Sequence, residues 1–176
     1  MIVKILIALV LAVGVFCLVA VMQPATYHVE RSTTIAAPPD RVYALVNDFH
    51  NWDDWSPWAK LDPAMTHSVS GPAAGTGSTY TWSGNDKAGA GTMIIRDSQP
   101  DSHVGIHLAF TKPYASSSDV AFSIKPQGPG TAVVWSMDGE NGFMLKAMSL
   151  FTSMDKMIGP DFEKGLGQLK TLSEKR

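Results

Sequence analysis

Few side chains in this sequence are placed to do chemistry. In HVGIHLAF the residues Val104, Ile106, Leu108 and Phe110 alternate with His103, Gly105 and His107. Period two puts the apolar set on one face of a strand and both histidines on the other, about 13 Å apart along the extended chain. That separation is too long for one metal ion, so both read as surface histidines. His67 alternates with Met65 and Val69 and can point inward, as a core histidine or as a general base. No carboxylate stands near it in sequence to orient it. Asp155 lies beside the apolar stripe of a late helix. Turned inward, its pKa would rise and it could serve as an acid; turned outward, it would cap a kink or pair with Lys156. Tyr114 completes the set: an enzyme reading gains weight if His67, Asp155 and Tyr114 converge on one point. The spacing of Gly75 and Gly77, ahead of a strand rather than a helix, is a turn and not a phosphate loop. Cys17 is the only cysteine, which excludes a disulfide or a thiolate metal site within one chain. No metal and no cofactor follow from these residues.

Material for the wall of an apolar pocket is more plentiful. Tyr80 and Trp82 share one strand face, Val120, Phe122 and Ile124 another, and Val133, Trp135 and Met137 a third. Met144, Met148, Met154 and Met157 are late in the chain, with Phe151 among them. Flexible thioethers suit a surface that adapts to varied apolar shapes, and they equally fill an irregular core. In DFHNWDDWSPWAKLDP, residues 48–63, three of the five tryptophans, Trp52, Trp55 and Trp58, stand three apart. Such a cluster is either a packing plug or one wall of a pocket.

The elements that must position these residues read clearly. The run from Ile5 to Met22 is 18 residues without a charged or strongly polar side chain, long enough to cross a hydrocarbon core as a helix. It lacks the small-x-small site of a cleaved signal, because Leu18 stands where a small residue is required, so a retained anchor over 1–24 is expected. The α-amino group and Lys4 precede the run, and Glu30 offsets Arg31 after it. This charge bias places the N-terminus in the cytoplasm and the domain, residues 25–176, outside the cytoplasmic membrane, in the periplasm. With a formal charge of -2 and no run of Lys or Arg, the chain has no footprint for nucleic acid.

Beyond Pro24 the period becomes two. Tyr27 to Ile35 reads as a strand ended by Pro38 and Pro39, and Asp40 is placed to cap a helix through Val42, Tyr43, Leu45 and Val46. The tryptophan segment follows as a short helix that Pro57 limits. Six strands are then expected, over 65–70, 77–83, 89–97, 103–111, 115–125 and 131–138, bounded by turn residues at the spacing of an antiparallel meander. Gly84 with Asn85 suits a tight hairpin turn with positive φ. Met144, Met148, Phe151, Ile158, Phe162, Leu166 and Leu169 form one helical stripe, which Gly159 and Pro160 should kink or split.

Arg31 to Ile35, Pro38, Val42, Asp48, Trp52, Trp55, Ser56 and Pro57, the glycines 71, 75, 77, 89 and 91, WSGN at 82–85 and MDKMIGPDFEKGL at 154–166 together resemble the SRPBCC superfamily. Within it they are similar to the polyketide cyclase/dehydrase-like branch that carries an N-terminal membrane helix, over roughly residues 27–172. The resemblance implies an α+β helix-grip fold, βααββββββα, with a curved antiparallel sheet wrapped around a long C-terminal helix and a deep apolar cavity. In that fold the short helices close one end of the sheet, so Trp52 and Trp55 plug it and Trp58 borders the opening. Ligand contacts are expected from Trp58, Tyr80, Trp82, Phe122, Trp135, Met148 and Phe151. The leading function is a membrane-anchored binding protein for a hydrophobic small molecule or lipid. A cyclase or dehydratase using the same cavity is the alternative, and an interaction module with a closed core is a third. The superfamily does not imply one activity.

Overall fold

All the period-two segments form strands, because alternating apolar residues can be buried on one side of a sheet. A computed structural model describes residues 1–175; Arg176, the last residue of the expected domain, lies outside the described residues. Helix α1 (Ile2–Val21) leads to strand β1 (Thr26–Ile35), helix α2 (Pro39–Asn47), a single 3₁₀ turn (Phe49–Asn51) and the short helix α3 (Trp52–Trp55). Strands β2 (Thr66–Ser70), β3 (Thr79–Ser83), β4 (Ala90–Gln99), β5 (His103–Lys112), β6 (Ser116–Gln127) and β7 (Gly130–Glu140) follow. The chain ends in helices α4 (Phe143–Met148) and α5 (Met154–Ser173). The sheet is antiparallel throughout, in the order β1-β7-β6-β5-β4-β3-β2. Register shifts interrupt β4 between Ala90 and Gly91 and between Ile95 and Asp97, and irregularities of this kind bend and twist a strand. This is the helix-grip fold, with an apolar helix ahead of it.

Three local expectations are corrected. Asp40 does not cap α2. The cap position is Pro38, and Asp40 sits in the first turn, where its charge favours the positive end of the helix dipole. The β3–β4 turn is wider than a tight hairpin: Gly84 N–H donates to Gly89 O at 2.8 Å and Gly89 N–H to Asn85 O at 2.7 Å. The positive φ falls at Gly89 (67°), and Gly84 is needed for space, since a Cβ there would stand 2.8 Å from Ala88 Cβ. The last stripe is broken at Ser149–Ser153 and not at Gly159–Pro160. Ser153 accepts the N–H of Lys156 at 3.2 Å and starts a new helix, whereas Pro160 lies inside α5, where only the exposed Lys156 loses its helical acceptor role.

Two devices fasten α5 to the sheet. Asp155, Gly159 and Glu163, four residues apart, form one stripe facing Arg31 on β1. The guanidinium donates to Asp155 Oδ1 and Oδ2 at 2.6 and 3.2 Å and to Glu163 Oε1 at 2.7 Å. It lies against Gly159, where any Cβ would collide with it. These bonds hold the Asp155 carboxyl below its ordinary pKa and raise that of Arg31 further. One turn further, Trp135 of β7 is stacked between Phe162 of α5 (centroids 4.1 Å, planes 9° apart) and Phe122 of β6 (4.8 Å, 28°). Gly165 makes room for it, since a Cβ there would meet Trp135 Cζ3 at 2.7 Å and Pro57 Cδ at 3.0 Å.

Gly165→Ala should therefore destabilise the protein by about 1–3 kcal/mol through overpacking, despite the better helix propensity of alanine. Gly167→Ala, two residues along and open to solvent, has no atom within 4 Å of the new Cβ. It should be neutral or stabilising, by up to ~1 kcal/mol. Denaturant unfolding of the two variants checks the contrast, and equal effects would show that α5 does not press on Trp135.

Candidate functional site

The tryptophan segment closes one side of the space between sheet and helix. Trp52 and Trp55 are buried, and each indole N–H donates to a carbonyl of α2: Trp52 Nε1 to Val46 O at 3.0 Å and Trp55 Nε1 to Leu45 O at 3.1 Å. Those bonds attach α3 to α2 and hold both rings over the sheet. Trp55 meets Phe122 and Trp135 edge-on at 6.0 and 5.7 Å and completes the packed half of the interior. Trp58, half-buried, sets its edge against Trp135 and Phe162 at 5.6 and 6.1 Å.

Past this aromatic block lies a cavity of about 230 Å³. Trp52, Asp53, Ser56 and Trp58 form one side, and Tyr80, Trp82, Met93, Leu108, Phe110 and Met137 form the concave sheet. Met65, Lys87 and Ala88 stand at the rim, and Ile158 represents α5. Trp82 is held flat by its Nε1–H bond to Ala88 O at 3.0 Å, and its ring crosses β4 at Gly91, where no side chain could fit. The wall is almost wholly apolar, with a few polar groups toward one edge, as expected of a small-molecule site.

Of the residues suggested as ligand contacts, Trp58, Tyr80 and Trp82 stand on this wall. Phe122 and Trp135 do not: they are fully buried in the stack where α5 rests directly on the sheet. Met148 and Phe151 are also elsewhere, because the break at Ser149–Ser153 carries them off the α5 stripe and out from the sheet. Phe151 is 81% exposed and stacks on Phe16 of α1 at 6.4 Å. Sequence reasoning missed Met65, Met93, Leu108 and Phe110 as wall residues. The inward phase of Leu108 and Phe110 was visible, but nothing in one strand's pattern tells which part of its face is covered by a helix.

The suggested acid–base groups do not converge. Asp155 is bound to Arg31 where α5 meets β1, away from the cavity, and Tyr114 is exposed in the β5–β6 turn. His67 sits at the rim. Its ring stacks on Tyr80 (5.2 Å, 19°), and its Nε2 is 3.2 Å from Asp53 Oδ2, so the fold provides the orienting carboxylate that local sequence lacked. Burial, with Asp53 nearby, pushes the Tyr80 phenol up to about 12, so at neutral pH it is an uncharged hydroxyl. His103 and His107 lie on the outer face beside Asp97 and Asp119. Among the described residues no three His, Cys, Asp or Glu side chains are grouped to hold a metal.

A family model for polyketide cyclase / dehydrase and lipid transport matches residues 26–174. The chain belongs to that family. The fold recurs in solved structures of low identity. A protein from Rhizobium leguminosarum is 15% identical, with 88% of this chain and 99% of that one covered, at a TM-score of 0.63. The Aha1 dimer from Colwellia psychrerythraea is 17% identical, with 84% and 96% covered, at 0.61. A protein from Chromobacterium violaceum is 16% identical, with 87% and 100% covered, at 0.60. Such likeness establishes architecture and leaves activity open. No curated protein matches the sequence.

Trp55→Ala should cost about 3–5 kcal/mol in denaturant unfolding, the usual loss for a fully buried large aromatic. Trp58→Ala should cost clearly less, since part of its ring faces the cavity rather than packed atoms. Equal losses at the two positions would return Trp58 to the packed core.

Proposed function

We propose that this protein is a membrane-anchored binding protein that holds a small apolar molecule in the cavity between its sheet and α5. The observation that carries this reading is the cavity itself, walled by Trp58, Tyr80, Trp82 and the adaptable Met65, Met93 and Met137. Its size narrows the ligand. A cavity of ~150 Å³ takes benzene, so about 230 Å³ suits a fused bicyclic ring or one short acyl chain. That is below the roughly 300–1,000 Å³ of sites for drug-sized ligands, and a whole two-chain phospholipid does not fit. A ring presenting one polar group would find the Tyr80 hydroxyl, Ser56 or Lys87 near the edge.

The chain divides, on this reading, into a single-pass anchor at 1–24 and a binding domain at 25–176. The support is α1, 20 residues that are apolar except for Lys4 and almost wholly exposed. The charge bias around it favours an extracytoplasmic, periplasmic domain. Full-length protein should stay with membranes through carbonate extraction, and in detergent it should bind a naphthalene-sized fluorophore with quenching of tryptophan emission. Leu108→Trp, which fills the cavity from β5, should abolish the quenching without loss of fold. Unchanged quenching in that variant would sink the binding reading, and a soluble chain starting near residue 25 would sink the anchor.

A second reading, cyclase or dehydratase chemistry, is favoured by one observation: the Asp53–His67 pair at the rim has the composition of an oriented general base. Binding without chemistry predicts that a linear poly-β-ketone is recovered unchanged after incubation with the protein. A ring-closed or dehydrated product, lost in His67→Ala, would establish the second reading instead.

A further inference from the structure

The exit of α1 and the strand ends that border the cavity lie at the same end of the sheet. β1 begins at Thr26, opposite Glu140 at the end of β7; β5 ends beside the start of β4, and β3 ends there too. Trp82, Phe110 and Met137 all lie toward this end. Beyond residues 1–22, the exposed large hydrophobic side chains among the described residues gather toward this end. Phe143, Met144, Met148 and Phe151 are on α4 and the turn after it, Met157 is near the start of α5, and Leu61 and Tyr114 are in loops. The opposite end, where Lys125, Gln127 and Lys175 stand, exposes none. A one-sided apolar patch of this kind marks an interaction surface.

Helix α1 says what covers it. Its last turns pack against α4: Ala20 is fully buried, Lys146 Nζ approaches Val21 O at 3.4 Å, and Phe16 stacks on Phe151. Phe16 is five residues before the end of α1, so a ring beside it lies about 7.5 Å below that end along the helix axis. Amphipathic helices lying in a membrane interface bury their apolar faces about 5–10 Å deep, while lysines on them reach back toward water. Resting on the reading of α1 as an anchor, we infer that Phe143–Phe151 is a second membrane contact, an interfacial segment that seats this end of the sheet on the bilayer surface. An apolar ligand then passes between acyl chains and the cavity without crossing bulk water.

The test uses the full chain in vesicles of phosphatidylcholine and phosphatidylglycerol, with Cys17→Ser as background. A nitroxide is attached at Phe151→Cys, at Met144→Cys and, at the far end of the sheet, at Lys125→Cys. All three positions are exposed, so the labels leave the core intact. Labels at 151 and 144 should collide more with oxygen than with a water-soluble nickel chelate, and the label at 125 should do the reverse. Nickel accessibility at 151 and 144 equal to that at 125, in protein that floats with the vesicles, overturns the second contact and leaves the anchor standing. Dipolar broadening between labels at 151 would show a second copy covering the patch, which also overturns it. Protein that does not float removes the anchor and this inference together.

Discussion

The stack of Trp135 between Phe122 and Phe162 is the contact on which the rest of the interior depends. It brings α5 onto the β1–β7 side of the sheet at ring-to-ring distance, with Gly165 removing the side chain that would hold the helix away. Arg31 reinforces it from the edge by spanning the glycine between Asp155 and Glu163. A helix held along β1 and β7 does not cover the inner face of β3, β4 and β5. The unfilled volume appears there, with Trp58 between it and the stack, so packing on one side and a cavity on the other are two results of one contact.

The polar groups follow the same division. Indole N–H groups of Trp52, Trp55 and Trp82 are satisfied by backbone carbonyls, which lets large rings be buried without loss of hydrogen bonds. Charged side chains stay toward the cavity's edge, as with Asp53 and Lys87, or at the edge of the sheet, as with Asp155 paired to Arg31. The cavity interior is thus suited to recognition by shape and apolar contact, with orientation set by a few groups at its edge.

The polarity of the whole chain also has a structural basis. Because β1 pairs along its whole length with β7, the entry of the chain from α1 and its departure into α4 are held side by side. The element that would be solvent-exposed in a free domain is therefore placed against an apolar helix, and the unusually hydrophobic run FMLKAMSLF acquires a neighbour of its own kind. The same end carries the turns that border the cavity.

The sequence by itself determined what local periodicity controls: an 18-residue apolar run, seven alternating segments, a proline-limited tryptophan turn and the apolar stripe of α5. It also carried the family resemblance, since glycines and tryptophans with fixed roles in a fold leave recognisable spacing. Tertiary structure alone decided which apolar faces became wall and which became packing. Phe122 and Trp135 have the same inward phase as Tyr80 and Trp82, but α5 covers the first pair and not the second. It also decided the position of the helix break, where Ser153 capping outweighs the proline, and so the removal of Met148 and Phe151 from the interior. Asp53 and His67 meet only because β2 returns to α3, across 14 positions of sequence that no periodicity relates. Burial of a face is a local property of the pattern, whereas the choice of what buries it belongs to a distant segment.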